Sequence, residues 1–173
     1  MNRCGFEKVS YEQFKEGFAK AFEVDDEDLS VYEDVIRMSY ESIKMPKRAT
    51  AKSAGHDFYS PFGYDLRPGE TIMIPTGIRC YMPDNMVLMM FPRSGLGSKF
   101  RYVPCNLTGI IDADYYNADN EGHIFMKMAN DGDDVVEINV GQAFCQGILL
   151  NYGITDDDDV DAERHGGFGS TEE

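Results

Sequence analysis

Two carboxylates placed directly after an apolar run are the first feature of this sequence that suggests chemistry. The segment GIIDADYY, residues 109–116, carries Asp112 and Asp114 behind two isoleucines and follows them with two tyrosines. Such a pair of carboxylates can belong to a turn, bind a metal ion or take part in acid–base chemistry. The residue types leave these three interpretations open, so the neighbouring motifs must distinguish them.

A second chemical motif is PRSGLGSK, residues 92–99, which directly follows an apolar stretch. Its glycines allow backbone N–H groups to turn toward an anion, and Arg93 and two serine hydroxyls add further donors. The spacing is not that of a Walker A phosphate-binding loop. The motif therefore predicts either an anion-binding loop or an ordinary turn.

Three further stretches carry isolated residues of interest. In ATAKSAGHDFYS, Asp57 stands at the start of a predicted strand, where aspartate is commonly a turn residue. In GQAFCQG, Gln146 lies within an apolar strand, and a structural hydrogen bond is the simpler explanation for it. GGFGST, residues 166–171, contains Phe168, which has nothing local to pack on. Stacking on a ligand ring explains this aromatic better than a mobile tail does.

The charge composition excludes some classes of function. The chain has 173 residues with 31 Asp and Glu against 16 Lys and Arg, a formal net charge of −15. Such a chain is not expected to bind nucleic acids or anionic membranes in general, because both require a basic face. Binding of an anionic small molecule is compatible with this net charge if a divalent metal, arginines or backbone amides supply positive charge locally.

The cysteines and the apolar stretches predict the cellular compartment. The four cysteines are widely scattered and form no C-x-x-C pair, which argues against a zinc site. The first residues contain no apolar segment typical of a signal peptide, and no stretch approaches membrane-spanning length. We therefore expect a reduced, cytoplasmic protein that does not enter a membrane.

Helical periodicity is confined to the first 45 residues, which we expect to form a helical extension packed on the main body. The first helix is predicted from a capping-box pattern at Ser10 and Gln13. Its inner side is defined by phenylalanines at four-residue spacing, Phe14, Phe18 and Phe22. The second helix is predicted from about residue 30 up to Pro46, with an inner side formed by Tyr32, Val35, Ile36, Ser39 and Ile43.

From Pro46 onward, short apolar runs alternate with turn signals. Strands are predicted at TIMIP, GIRCYM, NMVLMMF, HIFMKMA, VVEINV and AFCQGILL. Strands at such short spacing, without helices between them, predict an all-β sandwich or barrel over residues 46–154. Residues 155–173 combine like charges with glycines and are predicted to form a flexible tail.

In order and spacing, the five polar stretches resemble the five motifs of the trimeric dUTP diphosphatase (dUTPase) family. The matching patterns are A-x-x-x-S-A-G-x-D (49–57), P-R-S-G-L-G (92–97), N-x-x-G-I-I-D-x-D-Y (106–115), G-x-x-x-x-Q (141–146) and G-G-F-G-S-T (166–171). The resemblance covers residues 46–171 and leaves the helical extension outside. It implies an all-β, jelly-roll-like dUTPase β-barrel that assembles as a homotrimer, with active sites shared between subunits and closed by the glycine-rich tail.

The resemblance also implies an activity: family members use Mg²⁺ to hydrolyse dUTP to dUMP and pyrophosphate. By this resemblance Asp112 orients the attacking water, and Tyr115 packs against the deoxyribose where a ribose 2′-OH would clash. It further implies that Asn106 and the backbone of residues 109–116 line the uracil pocket and that Phe168 stacks on uracil. The implied phosphate contacts are Arg93, Ser94, Gly95 and Gln146, with Arg164, Ser170 and Thr171 reaching the terminal phosphates. Asp57 is implied to contact Mg²⁺ through water.

The chemistry of the residues agrees with these implied roles. Attack on a phosphorus atom of a polyanion is mainly a problem of positioning and charge neutralisation. A carboxylate at the end of an apolar run is held rigidly and can aim one water molecule, while Mg²⁺ and arginines screen its charge. Strand alternation would place Asp114 on the same side as Asp112 unless a turn intervenes, and we expect a structural role for Asp114.

The sequence departs from the family pattern in three informative places. Ala143 stands where the fourth motif usually carries an arginine that pairs with a buried carboxylate. Arg164 precedes Phe168 by four residues instead of five, which makes its phosphate contact less secure. The segment YNADNEG, residues 116–122, is longer than the usual tight hairpin and is expected to reshape the mouth of the pocket.

Two alternatives belong to other classes of function. A dCTP deaminase of the same fold would carry a glutamate three residues before an asparagine, but Lys127 precedes Asn130 here. A regulatory module derived from the fold would bind a protein through residues 9–45 and 116–122. The joint presence of the motif residues argues against such a loss of activity.

Overall fold

The computed structural model describes residues 3–162. Within this range the chain forms three α-helices, two short 3₁₀ helices at Leu29–Tyr32 and Ala113–Asn117, and twelve β-strands. The α-helices are α1 Tyr11–Phe22, α2 Glu33–Ser42 and α3 Ser94–Phe100. The strands are β1 Gly5–Lys8, β2 Lys47–Arg48, β3 His56–Tyr59, β4 Tyr64–Leu66, β5 Thr71–Pro75, β6 Ile78–Tyr81, β7 Met86–Pro92, β8 Tyr102–Pro104, β9 Gly109–Asp112, β10 Phe125–Asn130, β11 Val136–Ile138 and β12 Ala143–Asn151.

The main body is built from antiparallel sheets. The largest has the order β2-β3-β12-β7-β9, and a second has the order β5-β10-β8. Strand β11 pairs with β4, and β1 pairs with β6. The predicted all-β character of the body is therefore confirmed, and the predicted break at residues 75–77 separates β5 from β6 as expected.

Helix α1 begins as the sequence predicts. The Ser10 hydroxyl accepts a hydrogen bond from the backbone N–H of Gln13 (3.1 Å), which satisfies one of the free donors of the first turn. Phe14 and Phe18 are buried, whereas Phe22 is 38% exposed at the rim of the core. The phenylalanine pattern therefore marks the inner face correctly but extends one turn beyond the fully buried region.

The inner face of α2 differs from the prediction. Ile36, Ser39 and Ile43 are buried, but Tyr32 is exposed and Val35 is 50% exposed. Val35 lies within α2, next to Ile36 and at the edge of the buried face, whereas Tyr32 precedes α2 and belongs to the 3₁₀ helix Leu29–Tyr32. A 3₁₀ helix has about 3.0 residues per turn instead of about 3.6, so the side chains at the start of the segment do not follow the phase of the α-helix.

The N-terminal extension is part of the same core as the barrel. Phe14 and Ile36 belong to one cluster of buried side chains with the barrel residues Ile74, Met90 and Phe144. The extension also contains a strand that was not predicted from the sequence, because β1 pairs along the whole length of β6. The extension is therefore not purely helical, and it is joined to the barrel by both side-chain packing and backbone hydrogen bonds.

No helix among residues 3–162 combines the length and the apolar character needed to cross a lipid bilayer.

Candidate active site

The second motif folds as a short helix instead of the ordinary turn considered from the sequence. Strand β7 ends at Pro92, Arg93 keeps an extended backbone, and α3 begins at Ser94. The carbonyl oxygen of Arg93 accepts the backbone N–H of Gly97 (2.8 Å), which closes the first turn. This turn forms one side of an open groove of about 490 Å³ that is lined by Arg93, Ser94, Gly95, Leu96, Lys99, Phe100, Gln142 and Ala143.

An ion pair joins the first and second motifs at this groove. The Nε atom of Arg93 lies 3.1 Å from Oδ1 of Asp57, whose side chain is only 16% exposed. The Nη1 atom of Arg93 also lies 3.5 Å from the carbonyl oxygen of Ala143. Arg93 therefore supplies a positively charged partner for the Asp57 carboxylate. It does so beside Ala143, which stands where the fourth motif of the family usually has an arginine.

Gln146 connects the fourth motif to the same site. It stands opposite Asp57 in the antiparallel pairing of β12 with β3. Its Nε2 atom donates a hydrogen bond to the carbonyl oxygen of Pro92 (3.1 Å), so the predicted structural hydrogen bond is present. A Cβ atom on Gly55 would collide with the amide oxygen of Gln146, so any larger residue there would require the Gln146 side chain to move.

The third motif spans a strand and the 3₁₀ helix that follows it. Strand β9 pairs with β7 and ends at Asp112, which stands opposite Val87. Asp112 is partly exposed, and the chain then enters the 3₁₀ helix, where Asp114 is exposed. Because the strand ends at Asp112, the alternation expected between the two aspartates is broken. The intervening turn that was considered from the sequence is therefore present as the 3₁₀ helix, and the two aspartates do not share one strand.

A second cleft runs along the third motif. It has a volume of about 240 Å³ and is lined by Cys105, Asn106, Gly109, Ile110, Ile111, Phe125, Met126 and Lys127. Asn106 is exposed at this cleft. The cleft shares no lining residue with the groove at α3. Within the described chain, Asn106 and residues 109–111, which are implied for the base, therefore line one depression, and residues 93–95, which are implied for the phosphates, line another.

Tyr115 is held tightly within the chain. Only 5% of the residue is exposed. Its hydroxyl donates a hydrogen bond to the carbonyl oxygen of His123 (2.7 Å) and accepts one from Nδ2 of Asn120 (2.8 Å). The ring position is thus fixed at both ends, by the backbone at residue 115 and by the hydroxyl at its tip. Any ligand contact with Tyr115 is restricted to the small exposed part of the residue.

Four of the implied site residues lie outside the described residues: Arg164, Phe168, Ser170 and Thr171. Within residues 3–162, no three His, Cys, Asp or Glu side chains are arranged to hold a metal ion. A Mg²⁺ ion commonly keeps several waters and uses one or two carboxylates together with substrate phosphates. Asp57 is an oxygen donor of this kind beside the α3 groove, so it fits an ion that enters with a nucleotide.

Two residues near the site were not predicted from the sequence. Glu121 and His123 follow the third motif and contact the N-terminal extension. Glu121 has a backbone φ of 55°, in the left-handed region that favours glycine. Glu121 lies in the long segment 116–122 that the sequence marked as unusual, and His123 directly follows it. Their contacts join positions more than a hundred residues apart, so the sequence did not assign a contact to either residue.

Known proteins resemble this chain over most of its length. The dUTPase family model matches residues 41–172. The deoxyuridine 5′-triphosphate nucleotidohydrolase of Lactococcus lactis subsp. lactis is 42% identical over 143 residues, which cover 81% of this chain and 95% of that protein. The protein of the same name from Hahella chejuensis is 37% identical over 137 residues, covering 75% of this chain and 87% of that protein.

Solved structures support the same assignment. The crystal structure of the Streptococcus mutans dUTPase has a TM-score of 0.63 and 31% identity, and the match covers 88% of this chain and 98% of that one. A mutant dUTPase from phage phi11 of S. aureus, described as coordinating a structural Mg(II) ion, shares the fold with a TM-score of 0.59 at 22% identity, covering 73% and 95%. The predicted jelly-roll-like barrel is confirmed, and the chain belongs to the dUTPase family.

Proposed function

We propose that this chain hydrolyses dUTP to dUMP and pyrophosphate, and thereby removes dUTP from the nucleotide pool and supplies the precursor of dTTP. Membership of the dUTPase family and the names of the relatives support the reaction. The observation that carries the proposal is the meeting of three remote motifs at one groove. There Arg93 pairs with Asp57, and Gln146 binds the carbonyl oxygen of Pro92.

In the proposed mechanism, Asp112 orients the attacking water. The aspartate lies at the end of β9, whose pairing with β7 fixes its backbone. A fixed carboxylate lowers the barrier mainly by holding the water in line with the bond that breaks. Mg²⁺, when bound with the nucleotide and contacted by Asp57 through water, supplies positive charge to the phosphate oxygens.

The phosphate groups are assigned to the α3 groove. Arg93, Ser94 and Gly95 line it and offer a guanidinium group, a hydroxyl and backbone N–H groups. The Gln146 amide is the fourth donor proposed for the phosphates, in addition to its bond to Pro92. Arg93 is kept in position by Asp57, so the proposed phosphate ligand does not have to be ordered when the substrate binds.

The base and the sugar are assigned to the cleft of the third motif. Asn106 and the backbone of residues 109–111 line this cleft, and Tyr115 is proposed to face the deoxyribose. The tail residues Arg164, Phe168, Ser170 and Thr171 are proposed to close over the nucleotide, with Phe168 stacked on uracil. These assignments rest on the match between the motifs and those of the family.

We also propose that the active protein is a homotrimer with shared active sites. Two observations support an assembly. The α3 groove and the third-motif cleft are separate in one chain, and Leu107 and Ile110 next to that cleft expose most of their apolar surface. A neighbouring copy of the chain would complete the site and cover this surface.

The cytoplasmic location is proposed on the free state of all four cysteines, which suits a reducing compartment.

The decisive experiment measures pyrophosphate release from dUTP, UTP, dTTP and dCTP, with and without Mg²⁺, together with the molar mass in solution. We expect turnover of dUTP alone, dependence on Mg²⁺ and a trimeric mass. Comparable turnover of UTP would contradict the proposed role of Tyr115. Release of ammonia from dCTP would replace the proposal with the deaminase alternative.

A further inference from the structure

The N-terminal extension is fastened to the loop that follows the third motif. We call residues 116–123 the motif-three loop. The carboxylate of Glu121 accepts two hydrogen bonds from Ser10, one from the backbone N–H (2.7 Å) and one from the hydroxyl (2.6 Å). Because the Ser10 hydroxyl also accepts the N–H of Gln13, Glu121 completes the N-terminal cap of α1 from 111 residues away.

A second connection lies at the start of the same loop. The Tyr116 hydroxyl donates a hydrogen bond to Oε2 of Glu7 (2.8 Å), which also accepts one from Nη2 of Arg79 (2.8 Å). The guanidinium group of Arg79 lies over the Tyr116 ring, 4.5 Å from its centre. Glu7 is the direct partner of Arg79 in the pairing of β1 with β6, so the extension binds the beginning of the loop as well.

A third connection lies at the end of the loop. The fully buried His123 ring faces Phe14 of α1, with ring centres 6.1 Å apart, and packs against Phe125 at 4.3 Å. A Cβ atom on Gly17 would lie 2.6 Å from the imidazole ring, which shows how closely the helix backbone approaches it. The Nε2 atom of His123 accepts the backbone N–H of Gly77 (2.9 Å).

The loop in turn holds Tyr115. The Tyr115 hydroxyl binds the carbonyl oxygen of His123 and the amide of Asn120, and the Asn120 Oδ1 atom accepts the N–H of Gly122 (3.2 Å). The left-handed backbone of Glu121 is an uncommon conformation for a residue with a side chain, and its bonds to Ser10 hold it there. A continuous set of contacts therefore leads from α1 through Glu121 and His123 to Tyr115.

We propose that the extension acts as a positioning element for sugar selection, in which the Ser10–Glu121 contact fixes the motif-three loop and thereby the ring of Tyr115. This inference rests on the proposed function, because it assigns Tyr115 to the sugar of the nucleotide. Glu121 and Ser10 are positioning residues: they do not line either cleft. Their loss is expected to widen the range of ring positions and to admit a ribose 2′-OH.

The test compares Glu121→Ala with Glu33→Gln as a matched control. Glu33 is bound by Lys15, Tyr11 and Arg37, all within the extension, so its replacement weakens the extension without touching the motif-three loop. For each variant, kcat and KM are measured with dUTP and with UTP. Affinities for non-hydrolysable analogues of both nucleotides are measured by titration, and thermal unfolding is recorded.

We expect Glu121→Ala to raise KM for dUTP about fivefold or more, with kcat reduced less, and to lower the preference for dUTP over UTP at least tenfold. Glu33→Gln is expected to keep the wild-type preference at a comparable loss of stability. Ser10→Ala should show part of the Glu121→Ala effect. Ser10→Thr keeps a hydroxyl that can cap the helix, so it should retain the wild-type preference for dUTP.

The outcomes separate the positioning role from the proposed function. If the wild-type protein prefers dUTP and Glu121→Ala keeps that preference, the positioning role is wrong while the proposed function stands. The positioning role is equally wrong if Glu33→Gln lowers the preference to the same extent, because the effect then reflects stability alone. If the wild-type protein neither binds nor hydrolyses dUTP, the proposed function and the inference that rests on it are both wrong.

Discussion

The guanidinium group of Arg93 and the carboxylate of Asp57 form an ion pair, with 3.1 Å between Nε and Oδ1, that joins the start of α3 to strand β3. The pair brings together two motifs that lie 36 residues apart in the chain. It also places a cation next to a carboxylate that would otherwise face the proposed phosphate site alone.

The first prediction concerns this pair. Asp57→Asn removes the negative partner of Arg93 and the proposed water-mediated Mg²⁺ contact, so half-maximal activity should require about tenfold more Mg²⁺. Initial rates of dUTP hydrolysis over a series of Mg²⁺ concentrations measure the shift. Asp65→Asn, an exposed carboxylate on β4, serves as the control and should leave the Mg²⁺ dependence unchanged. An unaltered Mg²⁺ dependence in Asp57→Asn would remove Asp57 from the proposed site.

The second prediction concerns the proposed catalytic carboxylate. Asp112→Asn keeps the shape of the side chain but not its charge, so kcat should fall by a factor of about 10² to 10⁴. Binding of a non-hydrolysable dUTP analogue should be retained, because the residue is proposed to act on the water. Asp114→Asn changes the exposed neighbour in the 3₁₀ helix and should alter kcat by less than about twofold. Equal losses in the two variants would contradict the assignment.

The third prediction follows from the buried imidazole. Burial lowers the pKa of His123 from its ordinary value of 6.5 to about 3, although the nearby Glu121 opposes this shift. The folded protein therefore keeps the ring neutral, while the unfolded chain binds a proton below pH 6.5. The stability contributed by the neutral ring is complete above pH 6.5 and is lost as the pH falls toward 3.

Below pH 6.5 this single group should reduce the free energy of unfolding by up to about 1.4 kcal/mol per pH unit. Urea unfolding at one protein concentration, at about pH 7.5 and about pH 5, measures the loss. His123→Asn should be less stable at the higher pH but should lose less stability between the two. Burial also lowers the pKa of His56, the other histidine of the described region, so His56→Asn should remove its own part of the loss and leave the part that His123 contributes. Parallel pH dependences in the wild type and His123→Asn would show that another group is responsible.

The fourth prediction concerns the close approach of α1 to His123. Alanine is a better helix former than glycine by about 1 kcal/mol, so Gly17→Ala would stabilise an isolated helix. In this protein the new Cβ atom would lie 2.6 Å from Cε1 and 2.8 Å from Nδ1 of the buried imidazole ring. We expect a net loss of about 1–3 kcal/mol in the free energy of unfolding, measured in urea.

Gly95→Ala is the matched control for stability, because apart from its chain neighbours and the backbone of its own helix no atom lies within 4 Å of the Cβ position there. This substitution in α3 should leave the free energy of unfolding unchanged or raise it slightly. If Gly17→Ala is as stable as the wild type, the helix is able to move away from His123, and the contact is looser than the structure indicates.

Much of the fold was predictable because its signals are local. The strand pattern from Pro46 onward predicted the β body, and Ser10 with Gln13 predicted the start of α1. The five motifs predicted the family, since each keeps its residue types within a short window. The match of residues 41–172 to the dUTPase family confirms that interpretation.

The features that were not predicted depend on distant parts of the chain. Strand β1 has only four residues and forms because β6 supplies its backbone partners. Glu121 completes the cap of α1, a contact that no spacing rule for a helix terminus contains. The separation of the two clefts likewise depends on how the sheets fold over each other. Arg93 can take the place of the arginine usual at position 143 only because β3 and β7 both flank β12.

The pairing of β1 with β6 has a consequence for handling the protein. Strand β1 occupies the hydrogen-bonding edge of Ile78–Tyr81, and within the described residues β6 has no other strand partner. A shortened protein that begins after residue 8 would leave this edge open, and open edges recruit strands from other molecules. Such a truncation should therefore aggregate during purification even if its catalytic residues are intact, and protein prepared for crystallisation or assay should retain the first residues.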